Sequence, residues 1–388
     1  MASTAIPELI SLRVVVDKEQ NRVLYAEAGK DFVDILLSFL TLPLGTITRL
    51  VSKDSNTACR FGCISLLYES VGNLDPKHLK SETCKQMLLQ PRNSMERYNQ
   101  NLKLNIDDTK PTKYYACGHC LFQGPSLVST FKNMKCICGR VFTFLLNPCK
   151  SLLCSPVVGG SDKNASGNDT RETALTDSLL RKEHSLVNFE NSFKITARPG
   201  RENTGTMKMK VLIRKSKFKM LCAQVEEDFI DQLLSFLTFP IGAVEGVLEG
   251  NSGLCPSRLS CCNNYAVGPY YLTTADTSLC VRGVRRIRIC DPKSPIMEDK
   301  SGNGYAKGRT KFMVADDLSV KPLSSHNVLS PLTEFKVPYH DLEQRTICIA
   351  VREVVSILKA SMVSKSALTI GLKEFLSNNV KKKGKQRR

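Results

Sequence analysis

The segment Asp31-Phe-Val-Asp-Ile-Leu-Leu-Ser-Phe-Leu-Thr-Leu-Pro-Leu-Gly45 recurs 197 residues later, without a gap, as Asp228-Phe-Ile-Asp-Gln-Leu-Leu-Ser-Phe-Leu-Thr-Phe-Pro-Ile-Gly242. Eleven of the fifteen positions are identical, and three of the other four exchange one apolar side chain for another. A match that dense marks a duplicated structural unit, and any fold for the chain must accommodate two copies of it.

The residues around the segment define the unit. Residues 12–16 and 22–27 are strand-like runs split by the polar turn Asp17-Lys-Glu-Gln-Asn21, which predicts an antiparallel hairpin. Residues 210–214 and 219–225 repeat that pattern in the second copy. Asp31 and Asp228 then stand where a helix cap belongs. In the first copy Phe32, Val33, Leu36, Leu37 and Leu40 form the apolar face, with Asp31, Asp34, Ser38 and Thr41 on the polar one, the spacing of a helix packed on a sheet. Pro43 has no backbone N–H and disfavours helix at Leu42, so the helix should end near there, with a second short helix over 46–51. The unit is therefore ββα and a turn. A weaker third echo joins two strand-like runs, 311–315 and 346–351, to Glu353-Val-Val-Ser-Ile-Leu358.

This pattern predicts an α+β protein of two related halves, each a small, mainly antiparallel sheet covered by an amphipathic helix. The chain of 388 residues divides into a first repeat half at 9–150, a linker at 155–206, a second repeat half at 207–372 and a basic tail at 373–388. The linker is rich in Ser, Asn, Asp, Lys, Thr and Gly and reads as flexible, with a short helix at 173–188, because it has too few apolar residues to offset its ordering entropy.

The net charge of +18 favours anionic partners but speaks mainly to solubility and non-specific attraction. Its densest part is Lys381, Lys382, Lys383, Lys385, Arg387 and Arg388, which reads as a nuclear-localisation or nucleic-acid patch or as a solubilising end. Arg282, Arg285, Arg286 and Arg288 form a basic strand that could touch phosphates, though a solvated strand face explains it as well. The N-terminus lacks a signal-peptide pattern and no apolar run is long enough to span a bilayer. Cytoplasm or nucleus, and not secretion, is the expected localisation. Sixteen cysteines in that setting point to reduced thiols or metal ligands over disulfides.

One cluster has ligand spacing: Cys117-Gly-His-Cys120, then Cys136-Ile-Cys138 after fifteen intervening residues. Zinc takes four ligands in a tetrahedron, and close thiolate pairs on two turns supply them with little chain strain. Gly118 and Gly139 let those turns fold tightly. One structural zinc ion is the implied cofactor, with no position open for water; His119 could replace one thiolate but is expected on the outside of its turn. The alternative is four reduced cysteines near a turn. Tyr270-Tyr271 and Ile289-Cys290 echo the first half, yet Cys255, Cys261, Cys262 and Cys280 do not reproduce the paired spacing, so the second half has no matching site. The run at 29–31 lacks the earlier glycine of a phosphate-binding loop and reads as a helix start, and that at 302–308 has no strand before it and no clear helix after it, so it reads as a surface loop. The five histidines fall into no recognised pairing, and no elbow serine, zincin or kinase motif is present.

Several of these stretches together resemble a known family: 32–45, Asn73-Leu-Asp75, Leu104-Asn-Ile-Asp-Asp-Thr109, Tyr114-Tyr115, Phe312-Met-Val-Ala-Asp-Asp-Leu318 and 358–369. They are similar to the signature of the plant family known as domain of unknown function 674, over most of 9–140 and 207–371. The resemblance implies a land-plant origin and a two-half architecture, and no activity. Two departures matter. The first half lacks counterparts of 312–318 and 358–369, and the second lacks the segment matching Gly62-Cys-Ile-Ser-Leu-Leu-Tyr-Glu-Ser70, so the halves could complement each other in one fold. The expected function is a non-enzymatic interaction or scaffold protein with an unidentified protein partner. A basic nucleic-acid-associated protein is the alternative, and an enzyme with an unrecognised site comes last.

Overall fold

The computed structural model describes residues 10, 12–20, 22–53, 60–123, 127–148, 206–244, 304–308, 310–323 and 337–376, and the backbone of short strands at 260–262, 271–273, 285–286 and 288–289. The expected linker, apart from its last residue, lies outside them, as do the helix at 173–188 and the tail beyond 376.

β1 (Leu12–Asp17) and β2 (Arg22–Ala28) form an antiparallel two-stranded sheet, as the two strand-like runs and the polar turn between them predict. Five helices follow: α1 (Lys30–Phe39), α2 (Leu44–Lys53), α3 (Gly62–Asn73), α4 (Glu82–Leu89) and the single turn α5 (Glu96–Asn99). Next come β3 (Tyr114–Ala116), α6 (Gly118–Gln123), β4 (Leu127–Ser129) and β5 (Phe144–Pro148). The second copy supplies the hairpin β6 (Met207–Arg214) and β7 (Lys219–Val225), then helix α7 (Glu227–Ser235). Four short strands are β8 (Ser260–Cys262), β9 (Tyr271–Thr273), β10 (Arg285–Arg286) and β11 (Arg288–Ile289). The chain continues through β12 (Phe312–Ala315), β13 (Val320–Pro322), β14 (Leu342–Ile349), α8 (Val351–Val363) and α9 (Ala367–Gly371). Helices with antiparallel sheets make the class α+β.

The largest antiparallel sheet has the order β13-β12-β7-β6-β14. The strands of the third echo, β12 and β14, both exist but do not pair with one another. They flank the second-copy hairpin on opposite edges, because a hairpin has two rows of unpaired backbone groups to satisfy. Neither repeated aspartate is a cap. Both helices start one residue earlier, behind Gly29 and Glu226, so Asp31 and Asp228 sit in the first turn, where a negative charge favours the helix dipole.

One continuous core lies on this sheet. It takes Met209, Val211 and Ile213 from β6, Phe229, Ile230, Leu233 and Leu234 from α7, and Ile357 and Leu358 from α8. It also takes Leu44, Ile64, Leu67 and Leu88 from helices that precede residue 90. Polar contacts lock this exchange: Val320 N–H donates to Ser70 Oγ at 3.0 Å, and the Cys63 thiol donates to Ser364 O at 3.0 Å. The second-half sheet is thus covered by its own helix and by first-half helices together.

The two copies of the repeat meet at their prolines. Pro43 bridges Pro240; Leu44 N–H donates to Phe239 O at 2.9 Å and Ile241 N–H to Leu42 O at 3.0 Å. Leu44 and Ile241 are equivalent positions, as are Leu42 and Phe239, so the two bonds are related by a local two-fold. The glycines obey the same symmetry. A Cβ on Gly45 would lie 2.9 Å from Leu237 O, and one on Gly242 would lie 2.9 Å from Leu40 O. The Pro-x-Gly ending of the segment therefore serves a backbone-to-backbone contact between copies, and not only the termination of a helix.

Across that two-fold the helices present opposite faces. Leu233 and Leu234 of α7 are 1% and 0% exposed, whereas their equivalents Leu36 and Leu37 of α1 are 43% and 56% exposed. α1 instead buries Ile35, Ser38 and the following Leu42, and Thr41 Oγ1 accepts from the side-chain amides of Asn93 and Asn99 at 3.1 and 3.0 Å. The apolar stripe expected to pack on the first-half sheet is exposed. Ile35 is the residue whose equivalent is polar, and Gln232 is exposed in the second copy.

Candidate metal centre

Residues 114–148 build a second, smaller core. β3 pairs antiparallel with both β4 and β5, and among the described residues this ladder belongs to a sheet of order β10-β8-β9-β5-β3-β4-β11. The chain leaves β3 at Ala116 and turns at once into α6, so Cys117 precedes the helix and Cys120 lies in its first turn. The other pair sits on a tight hairpin. Phe142 N–H donates to Met134 O at 3.0 Å, Asn133 N–H to Phe142 O at 2.9 Å and Cys136 N–H to Arg140 O at 2.6 Å. Gly139 closes the tip with φ +82°, a left-handed conformation that a side chain would strain, and its N–H donates to Cys136 O at 2.9 Å.

These two turns bring all four predicted ligands together. Cys117 Sγ lies 3.5 Å from Cys138 Sγ, Cys120 Sγ lies 3.5 Å from Cys136 Sγ, and all four sulfurs fall within 4.8 Å of one another. A zinc–sulfur bond of about 2.3 Å puts tetrahedral sulfurs about 3.8 Å apart. The cluster has that size. Cys117, Cys120 and Cys136 are buried with Leu127 and Phe142, while Cys138 is exposed at the tip. His119 is partly buried, is not one of the four and has an Nδ1 without a hydrogen-bond partner in the structure.

The electrostatics separate the thiols. Burial pushes Cys120 and Cys136 up, since a thiolate loses more hydration than a thiol. The backbone N–H of Arg140 donates to Cys138 and holds it down at about 7. Elsewhere, burial pushes the Cys63 thiol up to about 12, which makes it an inert core residue. What distinguishes the cluster is four sulfurs converging where one divalent cation could be bound by all of them. The described residues could hold a metal ion there.

The remaining candidates are placed differently. Cys261 and Cys262 lie on β8, Arg285 and Arg286 on β10 and Arg288 on β11, where the backbone alone is described; Cys255, Cys280 and Arg282 lie outside the described residues. So do Lys381, Lys382, Lys383, Lys385, Arg387 and Arg388. Sequence reasoning did not join the second-half echoes to this module. β9, which starts at Tyr271, runs parallel to β5, and β11, which ends at Ile289, runs parallel to β4. The repeated Tyr-Tyr and Ile-Cys dipeptides were the available signal. No described helix is long and apolar enough to cross a membrane.

No curated protein and no solved structure matches the chain. A family model described as "Protein of unknown function (DUF674)" matches residues 7–153, 169–265 and 257–352. Those matches cover well over half of the chain and agree with the repeat, so the protein belongs to the DUF674 family.

Proposed function

We propose that this chain is a non-enzymatic interaction or scaffold protein whose first half is held by one structural zinc ion on Cys117, Cys120, Cys136 and Cys138. The observation that carries the proposal is the convergence of four sulfurs within 4.8 Å from two separate turns. Four protein ligands close the coordination shell and leave no place for a catalytic water. The role of the ion is then to join α6 to the 133–142 hairpin in a module whose own buried core is a few residues. In this reading the halves are 9–150 and 207–372, joined by the linker 155–206 and followed by the tail 373–388, in a cytoplasmic or nuclear protein of a plant. Native mass measurement of freshly purified protein tests the metal. The expected result is one zinc per chain, released by chelator together with four newly reactive thiols, and by Cys136→Ser without chelator. Metal-free protein with all four thiols reactive would refute the site.

The net charge of +18 supports a second reading, a basic nucleic-acid-associated protein that contacts phosphates through the tail. Salt-dependent retention on heparin, lost on removing residues 381–388, is its expected signature. Failure to bind at low salt rules it out.

A further inference from the structure

Independently of the metal centre, we infer that the exposed stripe of α1 is a self-association surface, and that its occupant is the α1 stripe of a second copy of this chain. The first argument is internal. Phe32, Val33, Leu36, Leu37, Phe39 and Leu40 are repeated as Phe229, Ile230, Leu233, Leu234, Phe236 and Leu237. The second set is at most 2% exposed, in the core shared with α2, α3 and α4. In the first set Val33, Leu36, Leu37, Phe39 and Leu40 are between 39% and 56% exposed. The same side chains that make a helix–helix interface inside the molecule are presented outside it.

The second argument is area. Five half-exposed side chains of this size leave roughly 400–500 Å² of apolar surface open, which matches the largest patch of an ordinary monomer. Doubled across a two-fold and bordered by a polar rim, it reaches the ~1,000 Å² that a specific interface needs.

The third argument is self-complementarity. Val33, Leu36, Leu37 and Leu40 have the i, i+3, i+4, i+7 spacing of a seam between two helices. A two-fold axis perpendicular to the helix sets that seam antiparallel to itself. The charges of α1, namely Lys30, Asp31 and Asp34, all lie in its N-terminal half, and residues 35–48 contain none. An antiparallel crossing centred on Leu36 and Leu37 therefore places the charged turns at opposite ends and buries no unpaired charge.

Sedimentation equilibrium of the full chain at tens of micromolar tests this, with Val33→Glu/Leu37→Glu as the variant. Both positions are exposed, so the variant is expected to keep the circular dichroism spectrum and melting temperature of the parent. The expected result is a parent of twice the 43.1 kDa chain mass and a variant at the chain mass. A parent that stays monomeric, or a dimer that persists in the variant, would overturn the inference. A monomeric parent whose amides at 33–40 resist hydrogen exchange would assign the face to another part of its own chain and overturn it equally. Zinc measured in the same samples reports on the metal centre separately.

Discussion

Fourteen residues of near-identical sequence, Phe32 to Gly45 and Phe229 to Gly242, stand in one molecule in two environments. In the second copy the hairpin is extended on both edges by β12 and β14, and its helix is buried in the core that also takes residues of α2, α3 and α4. In the first copy the hairpin remains a two-stranded sheet and the helix turns its apolar stripe outward. Even the shared aspartate differs. Asp231 accepts from the N–H groups of Tyr305 and Ala306 at 2.6 and 2.7 Å, whereas Asp34 pairs with the exposed Lys30. An amphipathic stripe specifies that a helix will be covered, and its surroundings decide by what. Here the first-half helices have been given to the second-half sheet.

Truncation at equivalent positions should break the symmetry most. Leu233→Ala removes a buried side chain next to Phe229 and Leu234 and is expected to cost about 2–5 kcal/mol, including the cavity it leaves. Leu36→Ala, at the same place in the repeat, should change the stability of the monomeric unit by about 0.5 kcal/mol or less. Urea denaturation of both variants checks this. Equal losses would mean that α1 is covered as α7 is.

The difference lies beyond what a local pattern records. Hairpins and paired cysteines are legible because each depends on neighbours a few residues away. The turn at residues 17–21, Pro43 and the Cys-x2-Cys and Cys-x-Cys pairs all act within one loop or one helical turn. Which element covers α1 depends on residues far off in the chain, and both copies carry the same stripe. The legible trace was the exchange of Ile35 for Gln232, the one non-conservative difference in the segment. It tells which face each helix buries, since Ile35 is 3% exposed and Gln232 faces solvent.

That exchange gives the next test. Ile35→Gln would place an amide in an apolar site and remove a buried aliphatic side chain, an expected loss of about 2–4 kcal/mol. Gln232→Ile should leave stability within about 0.5 kcal/mol. If Ile35→Gln proves neutral by thermal melting, α1 does not pack on that face. The contact between the copies is, by contrast, symmetric. Gly45→Ala and Gly242→Ala each drive a methyl to within 2.9 Å of a carbonyl oxygen of the other copy. Each should cost about 1–3 kcal/mol. Similar losses from both would support the local two-fold, and a loss from only one would break it.

The smallest expected effect concerns the hairpin turns. In the first copy Asp17 accepts from the N–H groups of Glu19 and Gln20, at 2.9 and 3.2 Å, within its own turn. In the second copy the turn is clamped from outside. Asp341, at the start of β14, accepts from the hydroxyl and N–H of Ser216 at 2.6 and 2.7 Å and from Arg214 at 2.8 Å. The Ser216 bonds, aided by Arg214, hold Asp341 down at about 2, against an unfolded value of about 3.9. The sign follows from proton binding. Above pH ~4 the carboxylate is ionised in both states and its native contacts stabilise the fold; as pH falls from about 4 to about 2 the unfolded chain binds the proton first, and that contribution is lost. Asp341→Asn should therefore lower the urea midpoint at pH ~5 and converge on the parent near pH ~2. Asp17→Asn should lower the urea midpoint at pH ~5 by less than Asp341→Asn does, because among the described residues Asp17 accepts only from its own turn. A parent and an Asp341→Asn variant that differ by the same amount at both pH values would show that β14 is held to the hairpin by its strand pairing alone.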